Sequence, residues 1–306
     1  MRFNENVLDG TERLIYSLRD LYGKYGYRRY KMSKFEEYAL YGRNIDFLVS
    51  DSVITFTDTD GKLMALKPDV TLSIVKNDRD DANSVTKLCY NENVYRVSRG
   101  TGTFREIMQS GLECIGDIDA ELLGEVLTLA AKSLELTGGE FVLEVSHLGL
   151  LSDAIDRITD DAATRAKLFK CVGEKNAHGI TEICSADGAG DASELISLMT
   201  AYGDPAEVIK KLSTRDASVK AREYLEELEN VLSVFDGTPY AGKVVLDFSV
   251  TADVNYYNGI IFKGFVEGVP ESVLSGGQYD RLMKKMGRRS RAVGFAVYLD
   301  MLERLL

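Results

Sequence analysis

The stretch that decides the fold is residues 87–116, which read KLCYNENVYRVSRGTGTFREIMQSGLECIG. Its first part, 88–97, places apolar residues around a single arginine, a pattern that predicts a strand. Residues 99–105 contain two glycines and predict a turn. The alternation of polar and apolar residues returns over 107–114, so a second strand is predicted to run back beside the first.

In such a hairpin, Gln109, Gly111 and Glu113 lie on the same face, because side chains alternate along a strand. With Arg96 near the turn, this polar face has two interpretations. It is either the floor of a site for a small zwitterionic ligand or the solvated face of an ordinary hairpin. The pattern alone favours neither.

The hairpin resembles motif 2 of class II aminoacyl-tRNA synthetases, and most closely that of the histidyl enzymes. Tyr95-Arg96 matches the Phe-Arg of that motif, and Gln109-Ser110-Gly111-Leu112-Glu113 matches its Gln-x-Gly-x-Glu. The match has one departure, because Ser98 stands where the family has a glutamate that acts around ATP.

Residues 66–71, LKPDVT, follow a predicted hairpin with its turn at 58–61 and open a predicted helix. On spacing alone, an acid beside Thr71 at a helix start indicates an ordinary N-cap. The segment is also similar to the synthetases' Leu-Arg-Pro-Glu-x-Thr, whose acid and threonine hold the amino group of histidine. Its aspartate form, Asp69, looks more like the synthetase-derived regulatory subunits of ATP phosphoribosyltransferase.

Three later segments resemble the histidine-specific motifs and motif 3 of the same family: YYNGIIF (256–262), GGQYD (276–280) and GFAVYLDM (294–301). The resemblance covers nearly the whole chain, with the motifs in the family's order. It implies an α+β fold, a class II synthetase-like antiparallel sheet flanked by helices. That domain is expected to span 1–306, with a helical insertion at 152–236 and no anticodon-binding domain.

Carried over by position, the resemblance implies that the contacts to histidine are kept. The amino group of histidine is expected to be bound by Asp69, Thr71 and Gln109, and its carboxylate by Arg96. The imidazole is expected to be bound by Glu113 and Tyr257, with Tyr279 beside the ring.

The phosphate contacts of the family are missing. Ala252 replaces the arginine before the family's Gly-Leu-Asp-Tyr-Tyr, and Met301 replaces the arginine of motif 3. Because deleting one stabilising donor typically costs about 100-fold to 1000-fold in rate, two such losses remove most of the catalysis. The sequence therefore predicts a receptor for histidine without catalytic residues and without a cofactor.

The resemblance implies a non-catalytic regulatory subunit of ATP phosphoribosyltransferase in histidine biosynthesis. Such subunits assemble with the short-form catalytic subunit, support its activity and contribute to feedback inhibition by histidine. Two alternatives stay open: a truncated histidyl-tRNA synthetase-like ligase, and a stand-alone histidine-binding sensor.

The N-terminal helix indicates how the chain assembles. Residues 11–25 place apolar side chains at helical spacing, with Thr11 as the expected N-cap, and a strand is predicted through Tyr30 and Met32. The family uses this helix and strand, its motif 1, as a homodimer interface. Ser33 replaces the usual proline. The alternative is a helix that packs only on its own domain.

Periodicity predicts further elements: a helix over 118–138, a strand over 141–145, and a final helix that follows 292–299 and runs to the end of the chain. His147 is expected to be a satisfied structural residue. The acidic run 223–229 is expected to be a solvated helix face.

Composition excludes several classes of function. The 306 residues carry a formal charge of −11 and no basic run, which argues against nucleic acid as the main partner. No signal-peptide core or membrane-spanning run is found, so a cytoplasmic location is expected. Cys171, His178 and Cys184 lie fairly close in sequence, but their spacing fits no common zinc pattern. Reduced thiols are therefore predicted for the four scattered cysteines, Cys89, Cys114, Cys171 and Cys184.

Overall fold

A mixed sheet of nine strands forms the centre of the computed structural model, which describes residues 7–45, 48, 53–78, 84–98, 101–186, 191–214, 218–252 and 256–305. In chain order the strands of the described residues are β1 (Arg28–Arg29), β2 (Phe35–Glu37), β3 (Thr55–Thr57), β4 (Leu63–Leu66), β5 (Thr86–Val97), β6 (Phe104–Gly116), β7 (Phe141–His147), β8 (Tyr202–Gly203), β9 (Val244–Asp247), β10 (Ile260–Val266), β11 (Leu274–Gln278) and β12 (Arg291–Tyr298).

The helices of the described residues are α1 (Gly10–Lys24), α2 (Tyr38–Gly42), α3 (Thr71–Asn77), α4 (Ala120–Glu135), α5 (Leu148–Asp156), α6 (Ala162–Gly173), α7 (Ala177–Ala186), α8 (Ser193–Met199), α9 (Pro205–Ser213), α10 (Val219–Leu232), α11 (Asp280–Lys285) and α12 (Leu299–Leu302).

The large sheet has the strand order β1-β5-β6-β12-β11-β10-β7-β9-β8. Its six central strands, β5 to β7 in this order, pair antiparallel, while the β1–β5 and β7–β9 pairs towards the edges are parallel. The predicted antiparallel sheet flanked by helices is therefore confirmed.

The predicted hairpin is confirmed as β5 and β6, which pair continuously from Thr86 opposite Ile115 to Val97 opposite Phe104. Of its predicted turn, residues 99 and 100 lie outside the described residues. The register places Glu113 beside Gly294 of β12. The polar residues at alternate positions of β6 therefore lie on the same face of the sheet as Gly294 of β12.

Helices α1 and α4 cover the opposite face of the sheet. Leu112 and Cys114 of β6 lie in the same apolar core as Leu18 of α1 and Leu127 of α4, and all four are almost fully buried. Because Glu113 lies between Leu112 and Cys114, it points away from this core and leaves the second face free for a site.

Helix α1 does not begin at the predicted cap. The N-cap is Asp9, whose carboxylate accepts the N–H of Glu12 at 2.7 Å while the Glu12 carboxylate accepts the N–H of Asp9. The assignment of Thr11 was wrong because this reciprocal capping box satisfies two free N–H groups at once. The strand predicted through Tyr30 and Met32 ends earlier as well, at Arg29.

Helices α5 to α10 connect β7 to β9, which is parallel to it, so the helical segment predicted at 152–236 runs between two neighbouring strands. His147 caps α5 through Nδ1 and pairs through Nε2 with Glu227 at 3.1 Å. The structural interpretation of His147 is confirmed. The prediction that the acidic run 223–229 is a solvated helix face is wrong for Glu227, because this side chain is half-buried against His147.

The remaining strands form a small sheet of order β2-β4-β3. Its β3–β4 turn is the predicted one: Asp58 accepts the N–H groups of Asp60 and Lys62, and Gly61 adopts a φ of +82°. Strand β4 then leads directly into α3, which begins at Thr71.

The C-terminal segment departs from its prediction. Strand β12 leads into a helix as expected, but that helix, α12, ends at Leu302 rather than running to the end of the chain. A backbone bond from Leu305 N–H to Leu302 C=O continues it only as a turn.

Within the described part of the chain, no helix is both long and apolar enough to cross a membrane. The four cysteines are buried free thiols, as predicted.

Candidate functional site

A cavity of about 440 Å³ lies on the polar face of the large sheet, a size typical of sites for small molecules. Strands β6, β10, β11 and β12 form its floor. The start of α3 and the segments 250–252 and 256–257 form its walls.

Glu113 lies at the centre of the floor and is almost fully buried. Its Oε1 accepts the hydroxyl of Thr71 at 2.7 Å, and its Oε2 accepts the hydroxyl of Tyr279 at 2.7 Å. Burial raises the pKa of Glu113 to about 8, although both hydrogen bonds act in the opposite direction. At neutral pH this carboxyl is therefore mostly protonated.

Glycine at 294 makes this arrangement possible. The position faces Glu113 across the β6–β12 pair, and a Cβ there would overlap Glu113 Oε2 and the Leu112 carbonyl. The glycine thus leaves the volume that the carboxyl occupies.

Asp69 lies at the cavity wall, where β4 passes into α3. Its carboxylate accepts the N–H of Leu72 at 2.8 Å, so the capping interpretation is confirmed. Burial raises the pKa of Asp69, while the Leu72 N–H and Arg96 pull it down. Because the same side chain lines the cavity, it stabilises the start of α3 and presents an acid to the site.

Four of the tyrosines that line the cavity are Tyr90, Tyr256, Tyr257 and Tyr279. The ring of Tyr256 lies 4.6 Å from that of Tyr257 and 5.9 Å from that of Tyr279, between centroids. Burial raises the pKa of each hydroxyl well above its usual value, so all four are hydrogen-bond donors.

Tyr90 and Tyr256 were missing from the sequence prediction. For Tyr90 a signal was available, because it pairs with Gly111 in the hairpin register. A Cβ at Gly111 would overlap the Tyr90 ring, so the glycine makes room for it.

Six of the seven predicted site residues line this cavity: Asp69, Thr71, Arg96, Glu113, Tyr257 and Tyr279. Gln109 does not. It is buried on the same face of β6, opposite Tyr298 of β12 and Glu92 of β5, but it is not among the lining residues.

Arg96 is fixed beside the acidic wall. Its Nε donates to the carbonyl of Pro68 at 3.1 Å, next to Asp69 in sequence. This bond holds the Nε side of its guanidinium at the start of α3.

The positions that lack the family's arginines are placed differently. Ala252 lines the cavity, whereas Met301 is exposed on α12 and is not among the lining residues. Residues 253–255 of the adjoining motif lie outside the described residues. A second cation that lines the cavity is Lys263 of β10. Nearby, the hydroxyls of Tyr298 and Ser275 are hydrogen-bonded, with 2.6 Å between their oxygens.

Gly276 and Gly277 of β11 have a packing role. A Cβ at Gly276 would overlap Phe295, and one at Gly277 would overlap Ile261. The described residues contain no cluster of three His, Cys, Asp or Glu side chains that could hold a metal ion.

The fold and the cavity define a class of protein. The family model of histidyl-tRNA synthetase matches residues 5–302, and the histidyl-tRNA synthetase from Nostoc has the same fold, with a TM-score of 0.79 at 17% identity over 95% of this chain and 70% of that chain. The chain therefore belongs to the histidyl-tRNA synthetase family.

Several of its relatives within that family are named ATP phosphoribosyltransferase regulatory subunit, as the sequence indicated. The protein of that name from Clostridium kluyveri is 30% identical over 292 residues, 92% of this chain and 74% of the relative. The one from Caldanaerobacter subterraneus is 28% identical over 97% of this chain and 77% of the relative.

Solved structures agree with these relatives. The ATP phosphoribosyltransferase regulatory subunit/histidyl-tRNA synthetase from Bacillus halodurans has a TM-score of 0.86 at 26% identity, over 100% of this chain and 82% of that chain. A chain of the ATP phosphoribosyl transferase (HisG:HisZ) complex from Thermotoga maritima shares the fold, with a TM-score of 0.74 at 19% identity over 95% and 97% of the two chains.

Proposed function

We propose that this chain is the non-catalytic regulatory subunit of ATP phosphoribosyltransferase in histidine biosynthesis and that it binds free L-histidine in the cavity around Glu113. The observation that carries the proposal is the bonded cluster of Thr71, Glu113 and Tyr279 in a cavity that has alanine at position 252. A buried, fully bonded polar site discriminates strongly against ligands that leave its groups unpaired.

The partner is a short-form catalytic subunit. The solved complex from Thermotoga maritima, by its name an assembly of two kinds of subunit, supports this proposal. Feedback inhibition then requires two states of the complex that differ both in histidine affinity and in their support of catalysis.

Reconstitution tests this function. A short catalytic subunit is assayed for phosphoribosyl transfer alone and with this chain, and L-histidine is then titrated. We expect activity only in the mixture and inhibition by histidine. Full activity of the catalytic subunit alone would contradict the proposal.

The alternative ligase activity is tested by ATP–pyrophosphate exchange with histidine. Because Ala252 and Met301 offer no cation to a phosphate, we expect no exchange above background. Robust exchange would favour the ligase. The sensor alternative predicts that the chain purifies from native extract without a catalytic subunit.

Self-association and location are further proposals. The inner face of α1 packs on its own sheet through Leu14, Leu18 and Tyr22, while Tyr16 on its outer face is half-exposed. We propose that this outer surface contributes to a homodimer, which light scattering on the purified chain would detect. Four reduced, buried thiols are compatible with the proposed cytoplasmic location.

A further inference from the structure

Lys263 is a cation at the edge of the cavity for which the proposed contacts to histidine have no role. It lies in β10, opposite Ser275 of β11 and Glu144 of β7, and these three side chains share the cavity face of the sheet. Three strand spacings separate β10 from β6, a distance of about 14 Å. Lys263 and Glu113 therefore approach the cavity from opposite sides.

The acidic groups near Lys263 do not fix it in place. No ion pair of Lys263 within 4 Å occurs among the described residues. Burial raises the pKa of Glu144, Asp247 raises it further, and Lys175 and Lys263 lower it. Asp247 is itself paired with Lys175 at 3.0 Å.

The other charges of the cavity act on its acidic side. Arg96 donates through Nε to the Pro68 carbonyl and lowers the pKa of Asp69, so its positive charge acts on the acidic side of the cavity. Glu113 is mostly protonated at neutral pH. A ligand that carries both an ammonium group and a carboxylate thus finds an acid at one side and, at the other, Lys263, a cation without an ion pair among the described residues.

Two hydroxyls lie beside this cation. Ser275 faces Lys263 across the β10–β11 pair, and its hydroxyl bonds that of Tyr298. In such a pair one hydroxyl donates to the other, and the second hydroxyl keeps its proton for a further acceptor. Ser275 and Tyr298 both line the cavity.

We propose that Lys263, assisted by the hydroxyls of Ser275 and Tyr298, binds the carboxylate of the amino acid. Lys263 thereby supplies the positive charge that alanine at position 252 does not. This inference rests on the proposed histidine site, and it assigns the carboxylate to Lys263 rather than to Arg96, whose Nε is committed to the Pro68 carbonyl.

The test is a ligand-by-variant cycle by isothermal titration calorimetry on the full chain. L-Histidine is compared with L-histidinol, which keeps the amine and the imidazole but has an alcohol instead of the carboxylate. The variants are Lys263→Met, Lys263→Arg and, as a matched control, Lys170→Met, whose side chain is 74% exposed on α6.

We expect Lys263→Met to weaken histidine binding by about 10- to 100-fold, as for the loss of a hydrogen bond to a charged group, and to leave histidinol binding almost unchanged. Lys263→Arg should keep most of the preference for histidine, and Lys170→Met should behave as the unmodified chain. Ser275→Ala, with the lysine in place, should weaken histidine binding a few-fold.

Undiminished histidine binding in Lys263→Met would overturn this inference while leaving the proposed function intact. Equal losses for histidine and histidinol, with unchanged circular dichroism, would overturn it too, because the lysine would then not be reading the carboxylate. Failure of the unmodified chain to bind histidine would overturn the proposed function itself.

Discussion

The two ends of the cavity hold their polar groups in different ways. At the acidic end, made by Asp69, Thr71, Glu113 and Tyr279, Glu113 accepts hydrogen bonds from Thr71 and Tyr279, and Asp69 is fixed by the Leu72 N–H. At the lysine end, made by Ala252, Lys263, Ser275 and Tyr298, the one bond between these side chains joins two hydroxyls, and Lys263 has a long, rotatable side chain.

This difference gives the two ends different roles in ligand binding. A network with fixed partners rejects a ligand that leaves one of its groups unpaired, because the unpaired group keeps its desolvation cost. A lysine adapts to the position of an anion and tolerates several ligands. We therefore expect variants at the acidic end to change stability and ligand binding together, and variants at the lysine end to change ligand binding with little change in stability.

The largest effect is expected at the buried ion pair of Lys67 and Glu92, which lies next to the acidic end. Lys67, fully buried, pairs with Glu92 at 2.5 Å and so ties the start of α3 to β5. Lys67→Met leaves Glu92 without its partner and should cost about 3–5 kcal/mol in the free energy of unfolding, measured with urea.

The double variant Lys67→Met/Glu92→Leu should recover most of that loss, since it removes both charges. Lys24→Met, which breaks an exposed pair with Asp20, should change stability by less than about 1 kcal/mol. Equal stability of Lys67→Met and Lys24→Met would show that α3 is held by other contacts.

Gly294→Ala comes next, because it introduces a Cβ into the volume of the Glu113 carboxyl. Overpacking of this kind should cost about 1–3 kcal/mol of stability, and displacement of Glu113 should weaken histidine binding at least about tenfold. Gly23→Ala in α1 is the control: no atom lies within 4 Å of its new Cβ, so stability should rise by up to about 1 kcal/mol.

The acidic end should also give stability a dependence on pH. The pKa of Glu113 is about 8 in the folded chain and near 4.5 when unfolded, so the folded state binds more protons between these values. Its contribution is fully present below pH 4.5 and is lost as pH rises through 8, with a slope of up to about 1.4 kcal/mol per pH unit.

Urea titrations of the unmodified chain and of Glu113→Gln at several values between pH 5 and 9 measure this slope. The variant should lack the part of the slope that Glu113 contributes, because glutamine does not titrate. Parallel curves for the two proteins would show that Glu113 is ionised throughout this range.

The smallest effect is expected from the loss of the Tyr298 hydroxyl at the lysine end. Tyr298→Phe removes a hydroxyl whose partner, Ser275, is half-buried and lines the cavity. Unfolding should change by no more than about 1 kcal/mol, and histidine affinity should fall only a few-fold. The control is Tyr202→Phe, far out on the exposed edge strand β8. A loss as large as that of Gly294→Ala would abolish the distinction between the two ends.

Sequence patterns predicted the elements well where the pattern is local. The alternation in β5 and β6 and the helical spacing in α4 come from neighbouring residues, and both elements are present. The cap of α1 has a local pattern as well, since Asp9 and Glu12 have capping-box spacing, but the prediction of Thr11 overlooked it.

Contacts between distant residues could not be derived from spacing. Thr71 and Glu113 are 42 residues apart, and His147 and Glu227 are 80 apart, so no local period links them. The resemblance to the synthetases places Thr71 and Glu113 in one site but assigns them to different groups of histidine, so it did not predict their direct bond. It offers nothing for the second pair, and the prediction of a solvated acidic face is wrong for Glu227.

Lys263 shows a different limit of the sequence. A lysine in a strand normally indicates a solvated position, and the motif around it, at 256–262, ends one residue earlier. Only the register with Ser275 and the neighbouring strands shows that this lysine lines the cavity.

The parallel pairing of β7 with β9 has a consequence for how the chain folds. Leu143 pairs with Val244, about a hundred residues later, and the described residues between them form the six α-helices α5 to α10. Closing so long a segment costs chain entropy before any of the pair's bonds form, and non-local pairing of this kind slows folding. The hairpin of β5 and β6 can assemble early, whereas the β8–β9 edge has to wait until α5 to α10 have collapsed.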